Sequence, residues 1–205
     1  MSKLTKTLSL TVFIILLDQV IKVWIKTNFT LGEEIRIFDW FIIHFTENNG
    51  MAFGWEFGGI LGKIALSLFR IVAVSFLMWY VIRLSKENAP VGYIASIGMI
   101  MAGALGNIID SAFYGVLFSE SNFYNAATFL PESGGYAPFL QGKVVDMLYF
   151  PLVRGTFPEW LPMWGGDSFL FFRPVFNIAD SSITIGVFLI LLFYRNYLRE
   201  QKLIP

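Results

Sequence analysis

The sequence predicts an all-α integral membrane protein, four transmembrane helices carrying a small extracytoplasmic β/loop subdomain. Three observations point there. Of 205 residues, 56% are hydrophobic and 15% charged, against about 25% charged in a soluble domain. Four stretches, 7–25, 64–82, 91–109 and 177–194, approach the roughly 20 apolar residues that cross a bilayer core. Lysine and arginine gather in three clusters that an even number of spans puts on one side.

Each element follows in order. Lys3, Lys6 and the apolar run 8–17 have the outline of a secretory signal peptide, but the run continues into Asp18-Gln19-Val20-Ile21-Lys22 without a small-residue processing site. It reads as a retained first helix. Backbone polar groups stay paired in lipid, so all four stretches should be helical; the alternating pattern of a membrane barrel is missing. Lys3 and Lys6 precede the first helix, Arg83 and Lys86 fall in the link between the second and third, and Arg195, Arg199 and Lys202 follow the fourth. The positive-inside rule makes both termini cytoplasmic and turns the connections 26–63 and 110–176 outward. In the first, the run 34–45 alternates and then becomes aromatic, which suits short strands at the membrane surface. In the second, 119–142 is polar and reads as an exposed loop with a mobile tip, while 150–174, rich in Phe, Pro and Trp, suits the interfacial belt. No internal repeat divides the chain, so 1–205 reads as a single membrane domain.

Composition narrows the chemistry. Zero cysteines remove disulfides, thiol nucleophiles, iron–sulfur clusters and thiolate zinc sites. One histidine, His44, excludes sites needing two imidazoles. Fifteen basic residues against fifteen acidic leave no net charge, and nothing suggests a nucleic-acid partner. Carboxylates, amides, hydroxyls and amines remain.

The ionisable residues gather at one depth, where charge in a membrane is costly. Asp18 lies about 16 Å and Lys22 about 22 Å along the first helix, both in its outer half and one turn apart. Asp110 closes the third helix just after Asn107, Asp180 lies in the first turns of the fourth, and Arg70 sits in the outer half of the second. Asp146 lies between Val144-Val145 and Met147-Leu148-Tyr149-Phe150, an apolar setting that is not mere loop decoration. Asp18 with Lys22, and Asp110 with Arg70, can be structural ion pairs. Asp146 and Asp180 have no obvious basic partner; Lys143 could serve one but not both. Two unneutralised carboxylates near each other split into one ionised and one protonated, the arrangement of an aspartic hydrolase.

Four ordered motifs carry a resemblance: Asp18-Gln19-Val20-Ile21-Lys22; Asn48-Asn49-Gly50-Met51-Ala52-Phe53-Gly54; Gly103-Ala104-Leu105-Gly106-Asn107-Ile108-Ile109-Asp110; and the pair Val144-Val145-Asp146-Met147 with Phe176-Asn177-Ile178-Ala179-Asp180-Ser181. Together they resemble the bacterial lipoprotein signal peptidases (signal peptidase II). The resemblance implies an intramembrane aspartic endopeptidase with Asp146 and Asp180 as catalytic dyad. It would remove the signal peptide from diacylglyceryl-modified prolipoproteins, cutting before the lipidated cysteine. The supporting positions it implies are Asp18, Lys22, Asn48, Gly50, Ala52, Gly106, Asn107, Asp110, Asn177 and Ala179. It implies no metal and no other cofactor, membrane lipid and prolipoprotein as partners, and a site near the outer face of the bacterial inner membrane. One chain holds every motif, so a monomer is expected. The asparagines can donate to substrate carbonyls or orient the aspartates, while Gly50 and Ala52 let a peptide backbone approach. The chain departs from the family pattern at Ser111, where an Arg is usual; what that Arg supports is either lost or supplied by another basic residue such as Arg173 or Arg154. The outer loops 111–142 and 150–175 are also longer than expected.

Other classes fit less well. A transporter or proton channel needs a polar path through the inner half, which is almost free of charge. A structural scaffold does not require Asp146 and Asp180. A serine–lysine protease could use Ser181 or Ser182 with Lys22, but nothing activates those serines. Gly166-Asp167 sits in a polar loop and does not match the GxGD intramembrane proteases.

Overall fold

The protein was analysed in a computed structural model that describes residues 1–50, 59–87, 89–171 and 173–201. Helix α1 (Lys3–Asn28) starts at Ser2, whose hydroxyl accepts from the Thr5 N–H as an N-cap. Its buried positions Thr7, Thr11, Ile14, Asp18, Lys22 and Ile25 recur every three or four residues. Most of that face is polar, while Val12, Phe13, Leu16, Val20 and Trp24 point outward. An apolar exterior around a partly polar packed face suits a helix whose surroundings are lipid. Helix α2 (Gly59–Lys86) likewise exposes Leu61, Leu68, Phe69, Val72 and Phe76. Arg83 and Lys86 belong to its last turn rather than to the link that follows, and Arg83 Nε bonds Glu87 at 2.9 Å. Basic residues there complement the helix dipole.

Helix α3 (Val91–Ile109) is the central helix, packed against α1, α2 and a later helix. It continues into a π-helical turn, Asp110–Tyr114, and the short α4 (Gly115–Leu117). A π turn is a distortion frequent at functional sites, and this one buries Asp110, Ser111, Ala112 and Tyr114. Helix α5 (Ile178–Phe193) is capped by Asn177, and α6 (Arg195–Gln201) follows after the break at Tyr194. Among the described residues, three helical stretches are long and apolar enough to cross a membrane: Lys3–Asn28, Gly59–Lys86 and Val91–Leu117. The fourth, α5, is apolar but only 16 residues long. It is shorter than expected because the Asn177 cap sets its start and the polar Arg195-Asn196 follow its end.

The strands are β1 (Glu34–Phe38), β2 (Phe41–Asn48), β3 (Val144–Tyr149), β4 (Val153–Thr156), β5 (Ser168–Phe171) and β6 (Val175–Phe176). An antiparallel sheet runs β1-β2-β3-β6, and β4 pairs with β5 in a separate two-stranded sheet. The sheet's strands connect at the C-terminal side of α1, the N-terminal side of α2, and the N-terminal side of α5, which collects them at one end of the bundle. Under the sheet lies a core of Ile25, Phe29, Phe45, Tyr114, Phe118, Ala127, Val145 and Met147. Phe41, Phe150 and Phe176 stack along its edge, with ring centroids 4.9 and 5.6 Å apart.

The polar stretch 119–142 is more closely held than its composition predicts. Leu31 N–H donates to Asn122 O, Ala127 N–H to Lys26 O and Tyr136 N–H to Phe118 O, and Ser121 and Ala127 are buried. Most of its residues are nonetheless exposed, Phe123 and Tyr124 among them.

Candidate active site

Lys22 organises one side of the site. Its ammonium is fully buried and lies 2.9 Å from Asp18 Oδ2, 2.8 Å from Asp110 Oδ2 and 3.0 Å from Asn107 Oδ1. An ammonium has three N–H donors, so these acceptors satisfy it. Each carboxylate then reaches a backbone amide. Asp18 Oδ1 accepts from the Ala179 N–H at 2.9 Å, and Asp110 Oδ2 from the Val145 N–H at 3.3 Å. The gripped amides are those immediately before Asp180 and Asp146. Gln19 joins the pair, donating to Asp110 Oδ1 at 2.9 Å and Asp18 Oδ2 at 3.2 Å. Gly106 permits this approach: a Cβ there would lie 2.7 Å from Asp18 Oδ2.

Asp146 and Asp180, which form no ion pair with a lysine or arginine among the described residues, come from different elements. In β3, alternation turns Val145 and Met147 into the core and Asp146 to the other face. Register pairs Asp146 with Thr46 and Val144 with Asn48, so Asn48 is the diagonal neighbour of Asp146 on its own face. Asn48 Nδ2 donates to Asp146 Oδ2, and Asn177 Nδ2 donates to Asp146 Oδ1 at 2.7 Å. Asn177 also caps α5, its Oδ1 accepting from the Asp180 N–H at 2.8 Å. Asn107 Nδ2 donates to Asp180 Oδ1 at 2.8 Å, while its Oδ1 faces Lys22, a donor that settles which way the amide points. Burial, and next the charge of Asp180, push the Asp146 carboxyl up to about 8, against the opposing influence of Lys22, Asn177 and Asn48. A cavity of about 470 Å³ opens beside the pair, lined by Leu148, Phe150, Phe176, Asp180 and Ile185 among others.

The structure thus brings together Asp18, Lys22, Asn48, Gly106, Asn107, Asp110, Asp146, Asn177, Ala179 and Asp180. Gly50 joins through its backbone. Its N–H donates to Asn48 Oδ1, and its φ of +87° favours glycine. Ala52 lies outside the described residues, as does Lys202 of the terminal basic cluster. Two expected pairings do not form. Asp110 is paired with Lys22, not Arg70, because Lys22 reaches it from the facing turn of α1; Arg70 Nη2 donates instead to Gly50 O at 2.7 Å. Lys143 turns to Glu120 at 3.3 Å and approaches neither unpartnered aspartate. Ser111 is buried and donates back to Asn107 O at 2.9 Å. Arg173 is exposed, and Arg154 is a β4 residue opposite Leu170. The serine–lysine alternative loses its geometry: Ser181 and Ser182 donate to Asn177 O and Met99 O, each at 2.8 Å, and the donors of Lys22 are taken.

Sequence reasoning missed a second buried pair. Lys26 forms an ion pair with Glu47 and donates to Ser121 Oγ at 2.8 Å; Lys26 is wholly buried. The available signal was the spacing of Lys26 four residues after Lys22 on the same helix face. Gln19, inside the first motif, carries no local sign of its bonds to Asp18 and Asp110.

Fold and site define a helical membrane protein that holds two amide-bound carboxylates beside an apolar cavity, where a small sheet meets the bundle. The chain belongs to the signal peptidase II family: residues 10–195 match the family described as signal peptidase (SPase) II. It is 50% identical over 187 residues to a lipoprotein signal peptidase of Porphyromonas gingivalis, spanning 91% of this chain and 81% of that protein. It is 37% identical over 202 residues to one of Amoebophilus asiaticus, spanning 97% and 81%. Its fold resembles two bacterial membrane enzymes solved by the in meso method. One gives a TM-score of 0.58 at 24% identity, covering 98% of this chain and 92% of the other. The second gives 0.56 at 25% identity, covering 93% of each.

Proposed function

We propose that the protein is an aspartic endopeptidase of the bacterial inner membrane. It removes the signal peptide from diacylglyceryl-modified prolipoproteins, cutting before the lipidated cysteine. The observation that carries this reading is the pair Asp146 and Asp180, juxtaposed without a lysine or arginine ion-pair partner among the described residues and held by Asn48, Asn107 and Asn177. One carboxyl is protonated and the other ionised. The ionised one takes a proton from water as its oxygen attacks the scissile carbonyl carbon, and the protonated one gives its proton to the carbonyl oxygen. The tetrahedral intermediate collapses: the C–N bond breaks, the leaving nitrogen takes the proton just abstracted from water, and the former carbonyl oxygen returns its proton to the carboxylate that supplied it. The asparagines keep both carboxylates aimed at one point and present donors where charge develops. The cavity beside Asp180 takes an apolar residue of the substrate, and the lipid chains lie along the apolar helix exteriors.

In this reading α5 is the fourth span, about 24 Å long. Both termini are cytoplasmic, the sheet and loops lie at the outer face, and the chain acts as a single-domain monomer without cofactor or metal. Asp18, Lys22, Gly106, Asp110 and Ala179 position the pair, while Gly50 and Ala52 admit the substrate backbone.

The test uses purified protein in liposomes with a diacylglyceryl-modified prolipoprotein, following signal-peptide release. Wild type should cleave, and Asp146→Asn and Asp180→Asn, if folded, should not. Full activity in either variant would sink the two-carboxylate mechanism.

A further inference from the structure

Arg70 has no part in the reaction as just described, yet its surroundings give it one. Its guanidinium donates to Gly50 O at 2.7 Å, and a Cβ on Gly50 would meet Nη1 at 2.8 Å, so the arginine lies directly over that turn. From there the chain of bonds is continuous. Gly50 N–H donates to Asn48 Oδ1, and Asn48 Nδ2 donates to Asp146 Oδ2. The guanidinium makes no ion pair among the described residues, but Asp180, Asp110 and Asp146 all lie within range of its charge. Asp110 already has Lys22 at 2.8 Å. The remaining effect of the arginine therefore falls on the aspartate pair. Guanidinium remains charged at any working pH, and one bond to Gly50 leaves several of its five N–H donors.

We propose that Arg70 is a positioning residue for the aspartate pair: it braces the Asn48–Gly50 turn that presents an amide to Asp146, and it holds one of the two carboxylates ionised. The proposal rests on the aspartic reading above. Among the described residues, the other charged groups around the pair are Asp18 and Lys22 from α1, Lys63 from α2 and Asp110 from the π turn. Glu47 of β2 faces the opposite side, towards Lys26. Lys22 is committed to Asp18 and Asp110, and Lys63 donates to Asn49 Oδ1 at 3.0 Å.

The experiment measures kcat and KM against pH for wild type, Arg70→Gln and Arg70→Lys in liposomes, with a diacylglyceryl prolipopeptide as substrate. Loss of a nearby positive charge makes an ionised carboxylate easier to protonate, so in Arg70→Gln the acid limb of kcat should move up by about one pH unit. Its kcat at the optimum should fall by about tenfold or more. Arg70→Lys keeps the charge but cannot reproduce the planar fork; its limb should stay at the wild-type pH while kcat falls. A purely structural arginine would lower kcat in both variants without moving either limb, and that result overturns the proposal, as does wild-type behaviour in Arg70→Gln. Should Arg70→Gln fail to fold, Arg70→Lys decides alone: full kcat there removes the brace. Asp146→Asn and Asp180→Asn run alongside. If both are inactive while Arg70→Gln behaves as wild type, only this inference fails; if either stays active, the aspartic reading itself has failed.

Discussion

Replacing Lys22 by Met is the most severe test of how the site is held. Met matches the length of the lysine stem and fills the same space, so the change removes three hydrogen bonds and one charge with little loss of volume. The bonds run 2.9, 2.8 and 3.0 Å to Asp18, Asp110 and Asn107, and the two carboxylates are 1% and 0% exposed. Water cannot take the place of the ammonium. Breaking a buried ion pair by deleting one partner costs about 3–5 kcal/mol, because the surviving charge stays buried. At about 2–4 °C per kcal/mol for a chain of this size, melting should fall by about 6–20 °C. The six tryptophans report unfolding in detergent by intrinsic fluorescence. Lys22→Met/Asp110→Asn should recover part of the loss, since it leaves one buried carboxylate in place of two. A Lys22→Met protein melting within about 2 °C of wild type, a loss near 1 kcal/mol or less, would refute the view that this triad holds α1, α3 and α5 together.

Further outcomes follow from the same geometry. Asn177→Ala removes both the α5 cap, worth about 1 kcal/mol, and a donor to Asp146; kcat should drop by about a hundredfold, and an unchanged kcat at saturating substrate would remove the amide from the mechanism. Gly106→Ala places a methyl 2.7 Å from Asp18 Oδ2 and 3.1 Å from Ala179 Cβ, and should destabilise by about 1–3 kcal/mol, read as a lowered melting point. Activity should decline as pH rises through about 8, where the proton held by Asp146 leaves. The same carboxyl makes stability depend on pH: its folded value lies above the unfolded one, so the folded chain holds a proton that the unfolded chain has released. Stability is therefore greatest near about pH 4, falls as pH rises and levels off above about 8; Asp146→Asn should flatten that slope in melting curves taken across the range.

What the sequence made legible was set by local rules. Asp18 and Lys22 are one helical turn apart, so their pairing could be read directly, and the structure places them 2.9 Å from each other. The alternation of 34–45 pointed to short strands, and β1 and β2 lie there; the apolar setting of Asp146 marked it as more than loop decoration but did not reveal β3. Partners across the bundle were not legible. Asp110 could meet either Lys22 or Arg70 at that depth, and the choice depends on which turn of α1 faces α3, a packing outcome that carries no local mark. The π turn at Asp110–Tyr114 is likewise a product of packing. In 119–142 polar content indicated exposure correctly, since most of its residues are exposed, but it gave no sign of the anchors. Three residues, Ser121, Ala127 and Tyr136, suffice to fasten that loop, and three anchors do not change an average.

The anchoring pattern has a physical logic. Helices in lipid gain little from hydrophobic contact with one another, because the surrounding chains are as apolar as their own faces. A site assembled from three elements must then be located by polar contacts, and here each element has its own. Asp18 grips α5 at the Ala179 amide beside Asp180, and Asp110 grips β3 at the Val145 amide beside Asp146. The third, β2, is held on its far face. Glu47 pairs with Lys26, whose ammonium also lies 5.0 Å from the centre of the Tyr136 ring and 5.6 Å from that of Phe118. Strand alternation makes that hold effective: with Glu47 fixed on one side, Asn48 must face Asp146 on the other. Lys22 and Lys26, one turn apart on α1, thus act on two strands of the sheet, the first on β3 through Asp110 and the second on β2 through Glu47. A rotation or slide of α1 would disturb both contacts to Asp146 together. The first helix, though it carries neither member of the aspartate pair, is therefore the element whose position the geometry of the pair depends on most.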